Sequence, residues 1–266
     1  MAGRMKVEHL WVRFTGEHGE VQALEDIDFS VEPGEFITVL GPSGCGKSTL
    51  IRSIAGFQKP EKGRILVGER EVSDPGPDRL MVFQEFDQLF PWRTVLGNLT
   101  YALKVKGVAK AEREEIARRF IRMVGLEGFE KAFPHQLSGG MKQRGAIARS
   151  LALNPEILLM DEPFGSLDAQ TRAILQAELV RIWQDVGSTI IFITHNIQEA
   201  ILLGDRVIVM GTRPGTIKKI VPVPLPRPRL PETPEFMALW HELYSQLEVH
   251  RFGENGKVES LVSGKD

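Results

Sequence analysis

The residues best suited to hold a phosphate lie between Gly41 and Thr49, in the run GPSGCGKST. Glycines at 41, 44 and 46 let successive backbone N–H groups point into one concavity, where they can cradle phosphate oxygens. The run before it, Phe36 to Leu40, is apolar and reads as a buried strand. The run after it, STLIRSIAGF, carries apolar residues at helical spacing, so the loop feeds a helix N-terminus with partial positive charge and unpaired donors. Strand, glycine-rich loop, Lys-Ser and helix is the context of a phosphate-binding loop. It assigns Gly41, Pro42, Ser43, Gly44, Cys45, Gly46, Lys47, Ser48 and Thr49 to nucleotide binding. Lys47 would reach the β- and γ-phosphates, and the Ser48 hydroxyl would bind Mg²⁺. Because Cys45 sits inside the loop, alkylating it is expected to block turnover, and bound nucleotide to slow the alkylation.

A second motif is ILLMDE, four apolar residues followed by Asp161 and Glu162. A strand here puts both carboxylates at its C-terminal end, where α/β sheets bind ligands. Asp161 is suited to hold Mg²⁺, and Glu162 to orient and deprotonate an attacking water. Further residues follow in fixed order. Gln84 ends the stretch LMVFQ and could bind Mg²⁺ or the water. Ser138, Gly139 and Gly140 open a helix and form a second anion site. Asp168 closes Ser166-Leu167-Asp168. His195 follows an apolar strand and could sense a γ-phosphate. Phe14 offers a ring for stacking on adenine. Taken singly, Gln84 reads as a surface residue, His195 as a structural histidine, Phe14 as core and Ser138 as a helix N-cap; it is their shared order that points to chemistry.

The elements that would position these residues are legible in the same pattern. Met5 to Phe14 and Val21 to Val31 read as strands joined by a turn at Gly16 to Gly19, and Gly63 to Val67 and Leu80 to Phe83 as shorter ones. From Pro91 to Glu156 no strand is evident. Helices are expected at Val95 to Val105 (capped by Thr94), Ala109 to Val124 and Gly139 to Leu153. Alternation then returns: strand Ile157 to Met160, helix Ala169 to Val186, strand Thr189 to Thr194, helix Asn196 to Leu203, strand Arg206 to Met210. Six prolines between Pro222 and Pro234 impose an extended segment, a helix follows from Phe236 to Val249, and the end from Gly253 reads as frayed.

Composition narrows the function classes. A net charge of -2 over 266 residues supplies no basic field for nucleic acid. One cysteine allows no internal disulfide and fits a reducing compartment. The first residues, MAGRMKVEHLWVRF, lack the apolar core of a signal peptide. No apolar run reaches the ~20 residues that span a bilayer, so membrane association must go through a partner. Asn98-Leu99-Thr100 matches a glycosylation acceptor by chance.

Taken together, GPSGCGKST, VFQE, LSGGMKQR, ILLMDEP, SLD and the Thr-His pair ending at His195 resemble the ATP-binding-cassette ATPases over almost the whole chain. The resemblance implies an α/β fold: a P-loop NTPase core with a mostly parallel sheet, an antiparallel β subdomain and an inserted α-helical subdomain. Residues 1–90 would form the β-rich part of the core, 91–155 the helical subdomain, 156–221 the rest of the core, and 222–266 the proline-rich segment and last helix. It implies ATP with Mg²⁺, with Ser48, Gln84 and Asp161 at the metal and Glu162, His195 and Gln84 at the reaction. It also implies a head-to-tail dimer with a second copy, in which the signature residues Ser138, Gly139 and Gly140 complete the partner's site beside Asp168.

Transmembrane permease subunits, and through them a substrate-binding protein, would be the other partners, with this chain on the cytoplasmic face of the membrane. QLFPWRTVLGNL, DEPFGSLDAQTR and MGTRPGTIKKIVPVPLPRPR look like the nitrate, sulfonate and taurine importers within that family. Phe86 to Arg93 is the expected permease contact, where Phe90 and Trp92 fit interface use if exposed and core packing if buried. Phe14 stands where Tyr is common, so stacking without a hydroxyl contact is expected, and Met141-Lys142 replaces a frequent Gln pair. The stretch after His195 is too short for the regulatory domain of sugar-importer ATPases. An exporter ATPase and a soluble cassette ATPase acting on DNA or ribosomes are the alternatives; a single cassette, one cysteine and no long heptad run disfavour the latter. LSGG opposes a metabolic kinase.

Overall fold

The computed structural model describes residues 4–248 apart from 17–18, 85–86, 166 and 213. The tip of the first expected turn, Phe86 of the expected permease contact, Ser166, and the chain end beyond 248 lie outside the described residues.

The centre is a six-stranded sheet whose inner strands are apolar along their whole length. The strands are β3 (Phe36–Leu40), β6 (Arg79–Val82), β7 (Ile157–Asp161), β8 (Thr189–Thr194), β9 (Arg206–Met210) and β10 (Ile217–Pro222), in the order β10-β9-β3-β8-β7-β6. All neighbours are parallel except β10, which runs antiparallel to β9 at the edge. Every residue of β3, β7 and β8 is buried, as parallel strands covered on both faces require.

Beside it lies an antiparallel sheet of β1 (Met5–Gly16), β2 (Gly19–Val31), β4 (Lys62–Val67) and β5 (Arg70–Glu71), in the order β2-β1-β4-β5. Its inward residues Val7, Leu10, Val12 and Leu24 share a core with Ile51 and Ile54 of α1 (Lys47–Ala55) and with one face of the central sheet. The opposite face, through Leu158 and Phe192, joins α2 (Val95–Val105), α3 (Lys110–Met123), α4 (Gly139–Ala152) and α5 (Ala169–Val186). A third cluster packs α6 (Ile197–Leu203) and α7 (Pro234–Glu248) on β9 and β10.

Side-chain caps set the helix starts. Thr94, Ser138, Asp168 and Asn196 accept from the backbone N–H groups of Gly97, Met141, Thr171 and Glu199. The sequence pattern omits β5, which is only two charged residues, and β10, whose Lys218-Lys219 interrupts the apolar signal. The proline-rich segment is tied down by Arg229, only 7% exposed, whose guanidinium donates to the carbonyls of Ile201 and Gly204 at the C-terminal end of α6. Burial lowers its pKa to about 10.

The loop before α2 is organised by Asn98, which is fully buried, so its acceptor motif offers no glycosylation site. Its amide oxygen accepts from Phe90 N (2.7 Å), and its nitrogen donates to the carbonyls of Phe90, Arg93 and Thr94. Asn98→Ala orphans the Phe90 N–H and is expected to cost about 2–3 kcal/mol in urea unfolding; a loss near zero would mean the loop is held by other contacts.

Candidate functional site

Parallel register brings three strand ends to one level. Leu40 pairs with Thr194 and Asp161 with Ile193, so the residues just past β3, β7 and β8 emerge side by side. Those residues are the glycine loop, Glu162 and His195.

The loop is shaped by close packing. At Gly46, φ is +93°, and a Cβ would lie 2.6 Å from Leu24 Cδ2 and 2.9 Å from the Ala23 carbonyl. At Gly41 a Cβ would lie 2.7 Å from Cys45 Sγ. Neither site accepts a larger residue without moving its neighbours. Lys47 opens α1 with its side chain 5% exposed, and its ammonium donates to the carbonyls of Gly41 (2.9 Å) and Pro42 (3.0 Å).

The acids face this loop. Ser48 Oγ donates to Asp161 Oδ1 at 3.2 Å. Burial pushes the Asp161 carboxyl above the usual carboxylate range, and the Ser48 hydrogen bond partly opposes that. Glu162 occupies the left-handed region at φ +43°, which is strained for a glutamate, and is pinned there by its N–H on the Ile193 carbonyl. Its Oε1 lies 3.5 Å from Lys47 Nζ and its Oε2 lies 2.8 Å from His195 Nδ1. Lysine, glutamate and histidine therefore form one chain of contacts across the strand ends.

Lys47, Ser48 and Glu162 border a cavity of about 970 Å³, large enough for a nucleotide, while Asp161 and His195 are not part of its lining. Ser43, Gly44, Lys47, Thr49, Gln84 and Glu162 contribute to its wall. Phe14 is not core: its ring is 43% exposed on β1, opposite Val21, which does line the cavity. Ser138, Gly139 and Gly140 do not line it. They begin α4, where Ser138 is exposed and Gly140 packs against Thr171. Asp168 shares that neighbourhood as the cap of α5, and its bonds from Thr171 hold its carboxyl below the usual range. The start of α4 and the glycine loop thus lie on separate surfaces of the chain.

The structure places two side chains that the pattern leaves open. Phe90 is half-buried rather than exposed, stacked on Trp92 and edge-on to Tyr101, while Trp92 is exposed. Cys45 presents its thiol to the core beside Leu24, not to the cavity, and burial pushes the thiol pKa up. The sequence pattern also misses Glu199, a buried carboxylate behind His195, because a lone glutamate on a helix reads as a solvated one.

Among the described residues no group of three or more His, Cys, Asp or Glu could hold a metal ion by itself. Ser48 and Asp161 do form a pair of hard oxygen donors at the cavity edge, a set that suits Mg²⁺ completed by phosphate and water oxygens. Among the same residues no helix is long and apolar enough to cross a membrane.

A family model described as ABC transporter matches residues 24–165. An uncharacterised ABC transporter ATP-binding protein of Methanocaldococcus jannaschii is 55% identical, over 89% of this chain and 88% of that protein. The taurine import ATP-binding protein TauB of Rhizobium johnstonii is 49% identical, over 80% and 81%. The nitrate import ATP-binding protein NrtD of Synechocystis is 44% identical, over 95% and 92%. Among solved structures, a dimeric ATP-binding cassette in a post-hydrolysis state with ADP and Pi matches at TM-score 0.72 and 31% identity, covering 82% of this chain and 98% of that one.

The buried thiol yields a direct check. Maleimide labelling of Cys45 at neutral pH should run at least tenfold slower in the native protein than in urea, with or without nucleotide. Fast native labelling slowed by MgATP would restore the exposed placement.

Proposed function

The chain belongs to the ABC transporter family of ATP-binding subunits, and from that premise we propose that it hydrolyses ATP to drive import of a small anion of the nitrate, sulfonate or taurine class through a membrane permease. The ATPase reading is carried by one observation: Lys47, Ser48, Asp161, Glu162 and His195 converge at the ends of three parallel strands. The importer reading is supported by the similarity to proteins named for nitrate and taurine import, each matched over most of its length.

In this reading the loop Gly41 to Thr49 and Lys47 bind the phosphates. Ser48, Asp161 and Gln84 would hold Mg²⁺, which when bound neutralises charge on the phosphates. Glu162 accepts a proton from the attacking water through its carboxylate, and His195, 2.8 Å from that carboxylate, orients it and faces the γ-phosphate. Phe14 stacks on the adenine. Ser138, Gly139 and Gly140 act on the nucleotide of a second copy in a head-to-tail dimer, with Asp168 beside them at the junction; their position outside the cavity of their own chain supports this. Half-buried Phe90 and exposed Trp92, on the loop held by Asn98, supply an aromatic contact for the permease. The substrate-binding protein acts only through that permease, and the chain sits on the cytoplasmic face of the membrane.

Three outcomes test this. Glu162→Gln should lower turnover by about 10² or more while ATP still binds and stabilises a dimer; normal turnover would remove Glu162 from its role. Ser138→Arg should leave ATP binding to the monomer intact and abolish ATP-dependent dimerisation in gel filtration; an unaffected dimer would place the signature elsewhere. Co-purification with a permease, and ATP-dependent uptake of a radiolabelled anion by the reconstituted complex, would test transport; tight binding to DNA or ribosomes and to no membrane protein would overturn it.

A further inference from the structure

The His195 ring is more than half exposed, and its Nδ1 lies 2.8 Å from Glu162 Oε2. Its placement must therefore come from the backbone of residues 194–196, in the turn between β8 and α6. That turn is held by side chains. Thr194 Oγ1 accepts from the Asn196 N–H at 3.0 Å, and Asn196 Oδ1 accepts from the Glu199 N–H at 3.0 Å. The Thr194 hydroxyl in turn donates to Glu199 Oε2. Glu199 Oε1 accepts from Gln176 Nε2 of α5 at 2.8 Å. Each carboxylate oxygen has its own directed donor, so the group is fixed in both position and rotation.

Burying that carboxylate carries a desolvation cost that an apolar residue of similar size would avoid. Glu199 is 6% exposed, and burial pushes its carboxyl up while the Thr194 and Gln176 bonds pull it back. Arg172 and His195 supply weaker opposite charge. Packing does not call for an acid at this place; a two-armed acceptor is what the turn uses. α5 begins at Asp168, so the same carboxylate joins the helix that starts beside the signature surface to the turn that carries His195.

We propose that Glu199 is a positioning residue for the ATPase reaction: it locks the Thr194 hydroxyl, and with it the 194–196 backbone, so that His195 stands against Glu162, and through Gln176 it ties this placement to α5. The proposal rests on the ATPase reading above. Thr194, Glu199 and Gln176 are not among the residues that line the cavity, so Glu199 acts through the turn that carries His195 rather than on the nucleotide.

The test uses the full chain with MgATP, measuring kcat, KM and equilibrium binding of a non-hydrolysable ATP analogue. Glu199→Ala should lower kcat by about tenfold or more and leave analogue affinity within about twofold of wild type, since the Lys47 loop stands on other elements. Glu199→Gln keeps two polar atoms at the same place without the charge and should recover kcat to within a few-fold of wild type. Gln176→Leu, a milder change that keeps the Thr194 bond, should lower kcat a few-fold at unchanged affinity, so the proposal stays testable if Glu199→Ala does not fold. Unchanged kcat in folded Glu199→Ala or in Gln176→Leu would overturn the proposal. So would equal loss of kcat and affinity, which marks a general structural role, or a Gln variant as impaired as the Ala variant. A wild-type protein that neither binds nor hydrolyses ATP would instead sink the ATPase reading itself.

Discussion

The in-register parallel pairing of β3, β8 and β7 is the constraint on which the rest depends. With Leu40 beside Thr194 and Asp161 beside Ile193, no loop has to travel to bring cation, acid and imidazole together. The apolar strands hold that register because both faces of the sheet are covered, one by α1 and the antiparallel sheet, the other by the helices of residues 95–186. A slip of one residue would turn the buried side chains of these strands to the wrong face, so the packing that stabilises the sheet also fixes the site.

At that site the charges are arranged in sequence rather than in pairs. Lys47 is bound to two carbonyls of its own loop and stands near Glu162, which in turn meets His195. A nearly buried lysine needs this company. Glu162 departs from ordinary backbone geometry to join it, and its N–H on Ile193 anchors that departure to the sheet. Asp161 instead accepts a hydrogen bond from Ser48. The two adjacent acids thus have different neighbours: one lies beside a hydroxyl, the other beside an imidazole.

Much of this is legible in the sequence, for specific reasons. The boundaries of α2 and α5 follow from Thr94 and Asp168, whose capping chemistry is local. The buried strands announce themselves as uninterrupted apolar runs. What is not legible depends on long-range contacts. The burial of Cys45 depends on a core built from several strands and α1, among them Leu24 of β2. Phe90 is half-buried because Tyr101 and Trp92 flank it. Strand β10 is an edge strand whose pairing with β9 overrides its two lysines. Glu199 and Arg229 are charged residues whose burial is set by carbonyls and side chains from other elements, and no periodicity records that.

In the proposed dimer the loop from Gly41 to Thr49 is half of a catalytic site, completed by the signature surface of a second copy. The most direct measurement is initial phosphate release from MgATP as a function of protein concentration, from well below to well above dimerisation. A site shared between two copies predicts a rate that rises with about the square of concentration at the low end and becomes linear once dimers dominate. A rate strictly proportional to protein throughout, with full activity in the monomer range, would contradict it.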